Sequence, residues 1–136
     1  MRVRTLLVLL LCLLACGLCG GCSKEKSTNE LITDLKSPQA QDQDRTVAVR
    51  LLPRRKGDAA KVIPALIEAL GDKSDGVRQS AAIGLGSFGE QAKDAIPALL
   101  ALRGDPDVRV HEAVEVALSR IDPTSFPDPR KPAPGK

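Results

Sequence analysis

Apolar residues recur at helical spacing through the middle of the chain. From residue 62 to residue 70 they take the i, i+3, i+4, i+7 and i+8 positions of one helical face. These residues are Val62, Ile63, Leu66, Ile67 and Leu70. A second stripe follows, made of Val77, Ala81, Leu85 and Phe88. The pattern therefore predicts two amphipathic helices separated by the turn at Gly71-Asp72.

Local signals predict where these two helices begin and end. Pro64 is tolerated in a first turn, where its missing N–H has no partner, so the first helix is predicted to begin near Lys61. A side-chain oxygen of Ser74 or Asp75 is predicted to cap the second helix, and Gly89 to close it.

The whole pattern returns 33 residues later. Ile63-Pro64-Ala65-Leu66 reappears as Ile96-Pro97-Ala98-Leu99, and Gly71-Asp72 as Gly104-Asp105. A period of about 20–50 residues is typical of solenoids, in which stacked supersecondary units share a continuous core. The inward positions of the last unit are predicted to be Ile96, Leu99, Leu100, Leu102, Val110, Val114, Ala117, Leu118 and Ile121.

A degenerate first unit precedes these two. Its stripes are short, and polar Asp44 and Arg55 occupy positions that are apolar in the later units, as expected of a capping repeat with a solvated face. Pro53 is predicted to end its second helix early. The apolar residues of the two stripes are Leu31, Ile32 and Leu35, then Val47, Ala48, Leu51 and Leu52.

The repeated residues resemble a known family. Ile63–Leu70, Val77-Arg78, Ala81-Ala82 and Leu85-Gly86 are similar to HEAT repeats of the short bacterial kind that is named for phycobilin lyases. The resemblance covers residues 29–122 and implies an all-α solenoid of about three helix pairs, 29–57, 58–89 and 90–122. It also implies that the second helix of each pair lines a concave, protein-binding side.

The chain starts with the features of a secretory signal peptide. Arg2 and Arg4 precede an apolar run, Leu6 to Leu18, which is shorter than the ~20 residues needed to cross a bilayer. The end of this leader, Leu18-Cys19-Gly20-Gly21-Cys22, resembles a bacterial lipobox. That resemblance implies cleavage after residue 21 and a lipid on Cys22.

Two alternatives to a lipid on Cys22 stay open. Cys16, after Leu13-Leu14-Ala15, is a second candidate, and an ordinary signal peptide cut near Gly21 needs no lipid. Cys22 is preferred because the polar residues 23–28 begin directly after it and are predicted to form a tether. A lipid would hold the domain in a bacterial envelope, on the outer membrane facing the periplasm or on the outer face of the cytoplasmic membrane.

The other end of the chain is rich in proline. Residues 123–136 contain five prolines and no helical pattern, and they are predicted to be a disordered tail.

Charge and composition argue against nucleic acid as a partner. Without Arg2 and Arg4 the chain has 18 basic against 17 acidic residues, so no global field attracts a polyanion. Phe88 and Phe126 are the only aromatic residues, which leaves no platform for stacking bases. All four cysteines lie in the leader, so the domain has no disulfide.

Candidate chemistry is sparse. His111, the single histidine, has Glu112 beside it and Glu115 one turn later, a set that can in principle hold a metal. His111 falls where Arg78 falls in the preceding unit, however, so we interpret it as a substitute for an arginine that bonds a loop aspartate. Asp72 or Asp75 is predicted to accept from Arg78, and Asp105 is predicted to pair with Arg109 in the same way. We therefore predict no metal, no cofactor and no catalytic residue.

The repeat also predicts a binding surface. Thr46, Gln79 and Glu112 form one outward row of the second helices, and Arg50, Ile83 and Val116 form another. Apolar residues at exposed positions often mark contact sites, so an unknown protein partner is predicted to bind here. A basic cluster lies nearby and is either a solvated end or a site for an anionic ligand: Arg50, Arg54, Arg55, Lys56 and Lys61.

The predicted function is that of a membrane-anchored module for protein–protein interaction. The first alternative is a relative or subunit of a HEAT-like enzyme, either bilin lyase-like or metal-dependent. The iron-binding deoxyhypusine hydroxylase repeats use several His-Glu pairs, whereas this chain has one, at His111-Glu112. The second alternative is a structural envelope protein without a specific ligand.

Overall fold

The computed structural model describes residues 25–128 and residue 130. Within them the chain forms α-helices and short 3-10 segments, and no strand. Cys16 and Cys22 lie outside the described residues. The six helices are α1 (Thr28–Lys36), α2 (Asp42–Leu51), α3 (Ala59–Ala69), α4 (Asp75–Gly86), α5 (Ile96–Ala101) and α6 (Val108–Ile121). The 3-10 segments are Leu52–Arg54, Lys56–Asp58, Gly89–Ala95 and Leu102–Gly104.

The helices form three antiparallel pairs that stack in chain order. Helix α4 lies between α2 and α6 and packs on both, so the second helices of the three units make one layer. The prediction of a short all-α solenoid is confirmed. The first helix begins at Thr28, where Ser27 and Glu30 form a capping box, so the predicted tether (residues 22–28) runs into the folded unit.

A single apolar core runs through all three units. The predicted stripes of the second unit are buried except for Ile67, which is partly buried, and Leu66, Leu85 and Leu99 are completely inaccessible to solvent. Leu100 is an exception to the predicted inward set, since it is 38% exposed. Consecutive helical residues point about 100° apart, and because α5 presents Leu99 to the core, Leu100 must turn outward.

Two predicted helix boundaries are wrong. Helix α3 begins at Ala59, so Pro64 lies inside it rather than in its first turn, and two alanines that strongly favour helix extend the start. Helix α4 ends at Gly86 rather than at Gly89, because the Ser87 hydroxyl donates to the carbonyl of Gly84 at 2.7 Å. Gly89 instead has a φ of +57° in the turn that follows.

Aspartates organise the turns inside the units. The Asp72 carboxylate accepts from the Ser74 N–H at 2.8 Å, and the Ser74 side chain makes no capping bond. Asp105 accepts from Asp107 N–H at 2.9 Å in the equivalent turn, and Asp107 caps α6.

Arginines link each unit to the next one. Arg45 Nε donates to Asp72 at 2.9 Å, and Arg78 Nε donates to Asp105 at 2.8 Å, each across 27 residues. The predicted partner of Arg78 was a carboxylate of its own loop, but that loop contributes only backbone oxygens, with the carbonyl of Asp72 at 2.9 Å. The side chain reaches the next unit because each second helix lies against the following loop. We call these two contacts the Arg–Asp ladder.

The sequence had suggested that Arg109 pairs with Asp105, but the structure does not contain this pair. Arg109 contacts Asp107 of its own loop at 2.9 Å and Asp75 of the preceding unit at 2.5 Å. Asp105 is unavailable to it because Arg78 already occupies both carboxylate oxygens.

The first residues of the predicted disordered tail contact the third unit. Asp122 accepts hydrogen bonds from Thr124 and Ser125, which lowers the pKa of its carboxyl to about 2. Phe126 packs on the core and lies 5.4 Å from the Arg103 guanidinium. The capping aspartate and this apolar anchor connect the start of the tail to the third unit. Residues 129 and 131–136 of the predicted tail lie outside the described residues.

None of the helices in the described part of the chain is long and apolar enough to span a bilayer.

Two glycines let α4 approach its neighbours closely. A β-carbon at Gly84 would lie 2.8 Å from Pro53 Cγ, and one at Gly86 would lie 3.0 Å from the Cα of Ala117 in α6. The contact at Gly86 is with backbone, which cannot move away without shifting a helix. Gly84 thus serves packing on the first unit, and Gly86 serves packing on the third.

Gly86→Ala should therefore lower the free energy of unfolding by about 1–3 kcal/mol, because the methyl group overpacks the α4–α6 contact. The matched control is Gly76→Ala in the first turn of α4, where the nearest atom is 3.8 Å from the new β-carbon. Gly76→Ala should raise stability by about 0.4–1 kcal/mol through the unfolded state. Urea denaturation measures both, and equal effects would contradict the packing of α4 on α6.

The Arg–Asp ladder makes stability depend on pH. The hydrogen bond from Arg78 lowers the pKa of Asp105, whose side chain is only 3% exposed. Asp105→Asn should cost on the order of 3 kcal/mol at neutral pH, because it leaves Arg78 without its charged partner. Asp44→Asn, at an exposed aspartate, is the control.

The folded-state pKa of Asp105 lies below its unfolded value, so its contribution is complete above about pH 4 and declines at lower pH. The stability difference between wild type and Asp105→Asn should shrink as the pH falls from 5 to 2, about the range in which the carboxylate is protonated. A difference independent of pH would show that the charge of Asp105 is not what stabilises the joint.

Candidate functional site

A groove runs across the layer of second helices. One depression of about 420 Å³ lies between α2 and α4 and is lined by Arg50, Gln79 and Ile83, among others. A second, of about 590 Å³, lies between α4 and α6 and also includes Gln79 and Ile83. Gln79 and Ile83 border both depressions and therefore lie between them on α4, and we call the two depressions together the α2–α4–α6 groove.

The structure brings five of the six residues of the two predicted rows to this groove, whereas Thr46 lines neither depression. Ile83 lies at the centre and is 50% exposed, whereas Val116 is partly covered on α6. Arg50 and Glu112 are exposed at the sides, and Gln79 is half-buried between them. The 33-residue repeat explains this grouping, since equivalent positions on parallel helices form rows across a solenoid.

The charges of the groove are partly neutralised. Glu115 pairs with Arg103 at 2.7 Å and Arg130 with Asp128 at 3.0 Å, while Arg109 is held by its two aspartates. Arg50, Glu112 and Arg120 make no ion pair among the described residues. The groove thus presents an apolar centre flanked by two free arginines and one free carboxylate, a set suited to non-covalent recognition.

His111 lies in the larger depression beside Glu112 and Glu115 and is exposed. Within residues 25–128 and 130, no three histidine, cysteine or acidic side chains come close enough to hold a metal. The arginines at equivalent positions do bond aspartates, as the interpretation of His111 required. His111 itself makes no such bond in the described structure.

The basic cluster divides into bonded and free members. Arg55 donates to the carbonyl of Lys26 at 3.1 Å and pairs with Glu25 at 3.5 Å. Lys56 donates to the Ser87 carbonyl at 2.6 Å and lies 3.8 Å from the Phe88 ring centroid, and partial burial lowers its pKa. Arg50, Arg54 and Lys61 have no described partner.

Sequence reasoning missed Arg120 and the role of Ser87. Arg120 follows Val116 by one helical turn and lines the groove, and Ser87 holds Lys56 at the end of α4. The repeat contained a signal for both, because Arg54, Ser87 and Arg120 are spaced by the same 33 residues.

A comparison with curated proteins finds no match to this chain. A family model described as HEAT repeats matches residues 28–119, about two thirds of the chain. The matched range begins with α1 and ends within α6, so it includes all three helix pairs and the groove that they form. The chain belongs to the HEAT-repeat family.

Proposed function

We propose that this chain is a non-catalytic protein-binding module and that the α2–α4–α6 groove holds its partner. The observation that carries the proposal is Ile83, a large apolar residue that is half exposed and borders both depressions of the groove, with Val116 beside it in the larger one. Exposed apolar patches in ligand-binding grooves often mark contact sites. HEAT-like solenoids commonly use such concave surfaces to bind other proteins.

The composition of the groove supports a protein partner. Protein interfaces combine an apolar centre with a polar rim, and arginine is enriched among their energetically important residues. Ile83 and Val116 supply the centre here, while Arg50, Arg120 and Glu112 supply the rim. All five lie in α2, α4 and α6, so the surface is preorganised and little ordering is needed on binding.

The same residues argue against the enzyme alternatives. Covalent catalysis needs a nucleophile hydrogen-bonded to a base, and metal-dependent catalysis needs converging ligands. The described groove offers His111 without a hydrogen-bond partner and no cluster of metal ligands. We therefore favour binding over catalysis.

We further propose that Cys22 carries a lipid and that the domain is exported and anchored to a bacterial membrane. The support is the leader: two arginines, an apolar run, small residues before Cys22 and polar residues after it. Ser27 is the N-cap of α1, so four residues separate Cys22 from the cap. Such a short tether would keep the module close to the membrane.

The groove is tested by Ile83→Asp combined with Val116→Asp. Both side chains are partly exposed, so helicity and the unfolding midpoint should stay near those of wild type. Binding should weaken by at least about 30-fold, the effect of losing an interface hot spot. A photo-crosslinker at Gln79 in living cells should capture a partner from wild type and not from the double variant.

Val108→Asp is the matched control, because Val108 is 65% exposed and does not line the groove. It should leave the crosslinked product unchanged. Retention of the product by the Ile83→Asp, Val116→Asp variant would place the binding surface elsewhere. Unfolding of that variant would show that these side chains belong to the core.

The anchor is tested by Cys22→Ala in the full-length chain. The variant should accumulate as an uncut, larger precursor without lipid, because processing of a lipoprotein requires the modified cysteine. Cys16→Ala, the matched control, should mature normally. Gel mobility and the intact mass of the mature chain report both results. Normal processing of Cys22→Ala would refute the assignment, and a block in Cys16→Ala alone would move the lipid to Cys16.

A further inference from the structure

The unpaired positive charges of the solenoid gather at one of its ends. Among the lysines and arginines of residues 25–128 and 130, five make no ion pair with a carboxylate, and all five lie where the second helices terminate. We call this surface the cationic end. Its residues are Arg50, Arg54, Lys56, Lys61 and Arg120.

The contacts of these residues place them at the same end. Arg50 and Arg120 lie in the last turns of α2 and α6, and Arg54 follows α2 directly. The Nζ atom of Lys56 lies 2.9 Å from the Oγ atom of Ser87, the residue that directly follows α4. Lys61 is in the first turn of α3, which runs antiparallel to α4 and therefore begins where α4 ends.

At the opposite end of the solenoid, the arginines are neutralised by carboxylates. The Arg–Asp ladder and the contact between Arg109 and Asp75 lie at the N-terminal ends of the second helices, where each arginine meets a carboxylate. The two ends of the solenoid thus differ in whether their positive charges are paired with carboxylates. The cations of the cationic end can contact an anionic surface. The arginines at the end that holds the Arg–Asp ladder, which we call the ladder end, already contact carboxylates.

The carboxylates near the cationic end offset its positive charge in part. Asp58 accepts from the Thr28 hydroxyl at 2.5 Å, and Glu25 pairs with Arg55. Asp122 is used in the turn that follows α6. Asp58 and Asp122 accept from neutral donors and keep their charge, so together with the exposed Asp94 they place three carboxylates near the five cations, and a net positive charge remains.

The N-terminal segment leaves the solenoid at this same end. Arg55 holds the carbonyl of Lys26, and Thr28 is bonded to Asp58 in the turn before α3. Cys22 precedes Glu25 by three residues, which span at most about 11 Å of extended chain. That reach is close to the Debye length of about 8 Å at physiological ionic strength, so a membrane that holds Cys22 would feel the cationic end.

We propose that the cationic end binds anionic phospholipid headgroups and forms a second attachment of the domain to its membrane. The proposal rests on the proposed lipid at Cys22. Each basic residue close to an anionic membrane strengthens binding by about fivefold. Attached in this way, the second helices stand along the membrane normal, the groove opens sideways, and the ladder end points away from the bilayer.

The test uses the mature protein purified from a full-length gene and placed on nanodiscs of phosphatidylcholine, with or without phosphatidylglycerol. Phenylglyoxal modification of single arginines is followed by mass spectrometry. Arg50 and Arg120 should be modified at least fivefold more slowly on the anionic discs. Arg109, at the ladder end, should react at the same rate on both.

A matched pair of variants assigns the effect to this end of the molecule. Arg54→Glu with Lys61→Glu should abolish the protection of Arg50 and Arg120. Lys36→Glu with Lys73→Glu makes the same change in net charge with exposed lysines of the opposite end, and protection should persist. Loss of protection in both variants would mean that net charge alone matters, which overturns the proposal.

Two further outcomes would also overturn it. Protection by inorganic phosphate on neutral discs, equal to that by phosphatidylglycerol, would indicate a simple anion site. No protection by the anionic lipid, together with loss of a crosslinked protein in Arg54→Glu with Lys61→Glu, would assign the surface to an acidic protein partner.

The mass of the mature N-terminus separates this proposal from the anchor. A lipidated chain whose arginines show no protection would support the lipid anchor and refute headgroup binding by the cationic end. A chain without lipid that is still protected on anionic discs refutes the anchor and supports the headgroup site.

Discussion

The joint between successive units depends on an arginine whose guanidinium pairs with a carboxylate of the next unit. Arg45 and Arg78 each project from a second helix, take backbone carbonyls of the loop before that helix and end on a carboxylate of the following loop. The carboxylate in turn holds an N–H of its own turn. One contact therefore fixes the loop conformation, the helix start and the stacking of the units together. The parallel alignment of α2, α4 and α6 follows from it, and the groove follows from that alignment.

Close packing adds a second constraint on the same layer. Gly84 and Gly86 remove side chains where α4 meets Pro53 and Ala117, so the layer is tight at the end where the helices terminate. The ladder holds the other end. Ile83 directly precedes Gly84 in this layer and is half exposed to solvent. The rigidity of the layer is what makes an exposed apolar residue useful for recognition, since the surface cannot collapse to hide it.

The helical faces and the grouping of Arg50, Ile83 and Val116 were predictable because both follow from periodicity, which the sequence shows directly. The ends of α3 and α4 were not, because they depend on contacts such as Ser87 with Gly84 and on two alanines before Lys61. The partner of Arg78 was missed for a related reason. Nearby carboxylates in the chain are the obvious choice, whereas the stack brings a carboxylate from 27 residues away into a better position. The packing of Phe126 on the core was not predicted, because a single apolar residue among several prolines gives no periodic pattern.

The second unit is complete in a way that the other two are not. It carries both an acceptor, Asp72, for the unit before it and a donor, Arg78, for the unit after it. The first unit has Gln39 where the acceptor would stand, and the third has His111 in place of the donor. A tandem copy of the 33-residue segment could therefore be inserted at the middle without leaving any buried charge unmatched. Each added copy would lengthen the groove by one isoleucine, so the size of the surface offered to a partner can change by duplication while the joints stay the same.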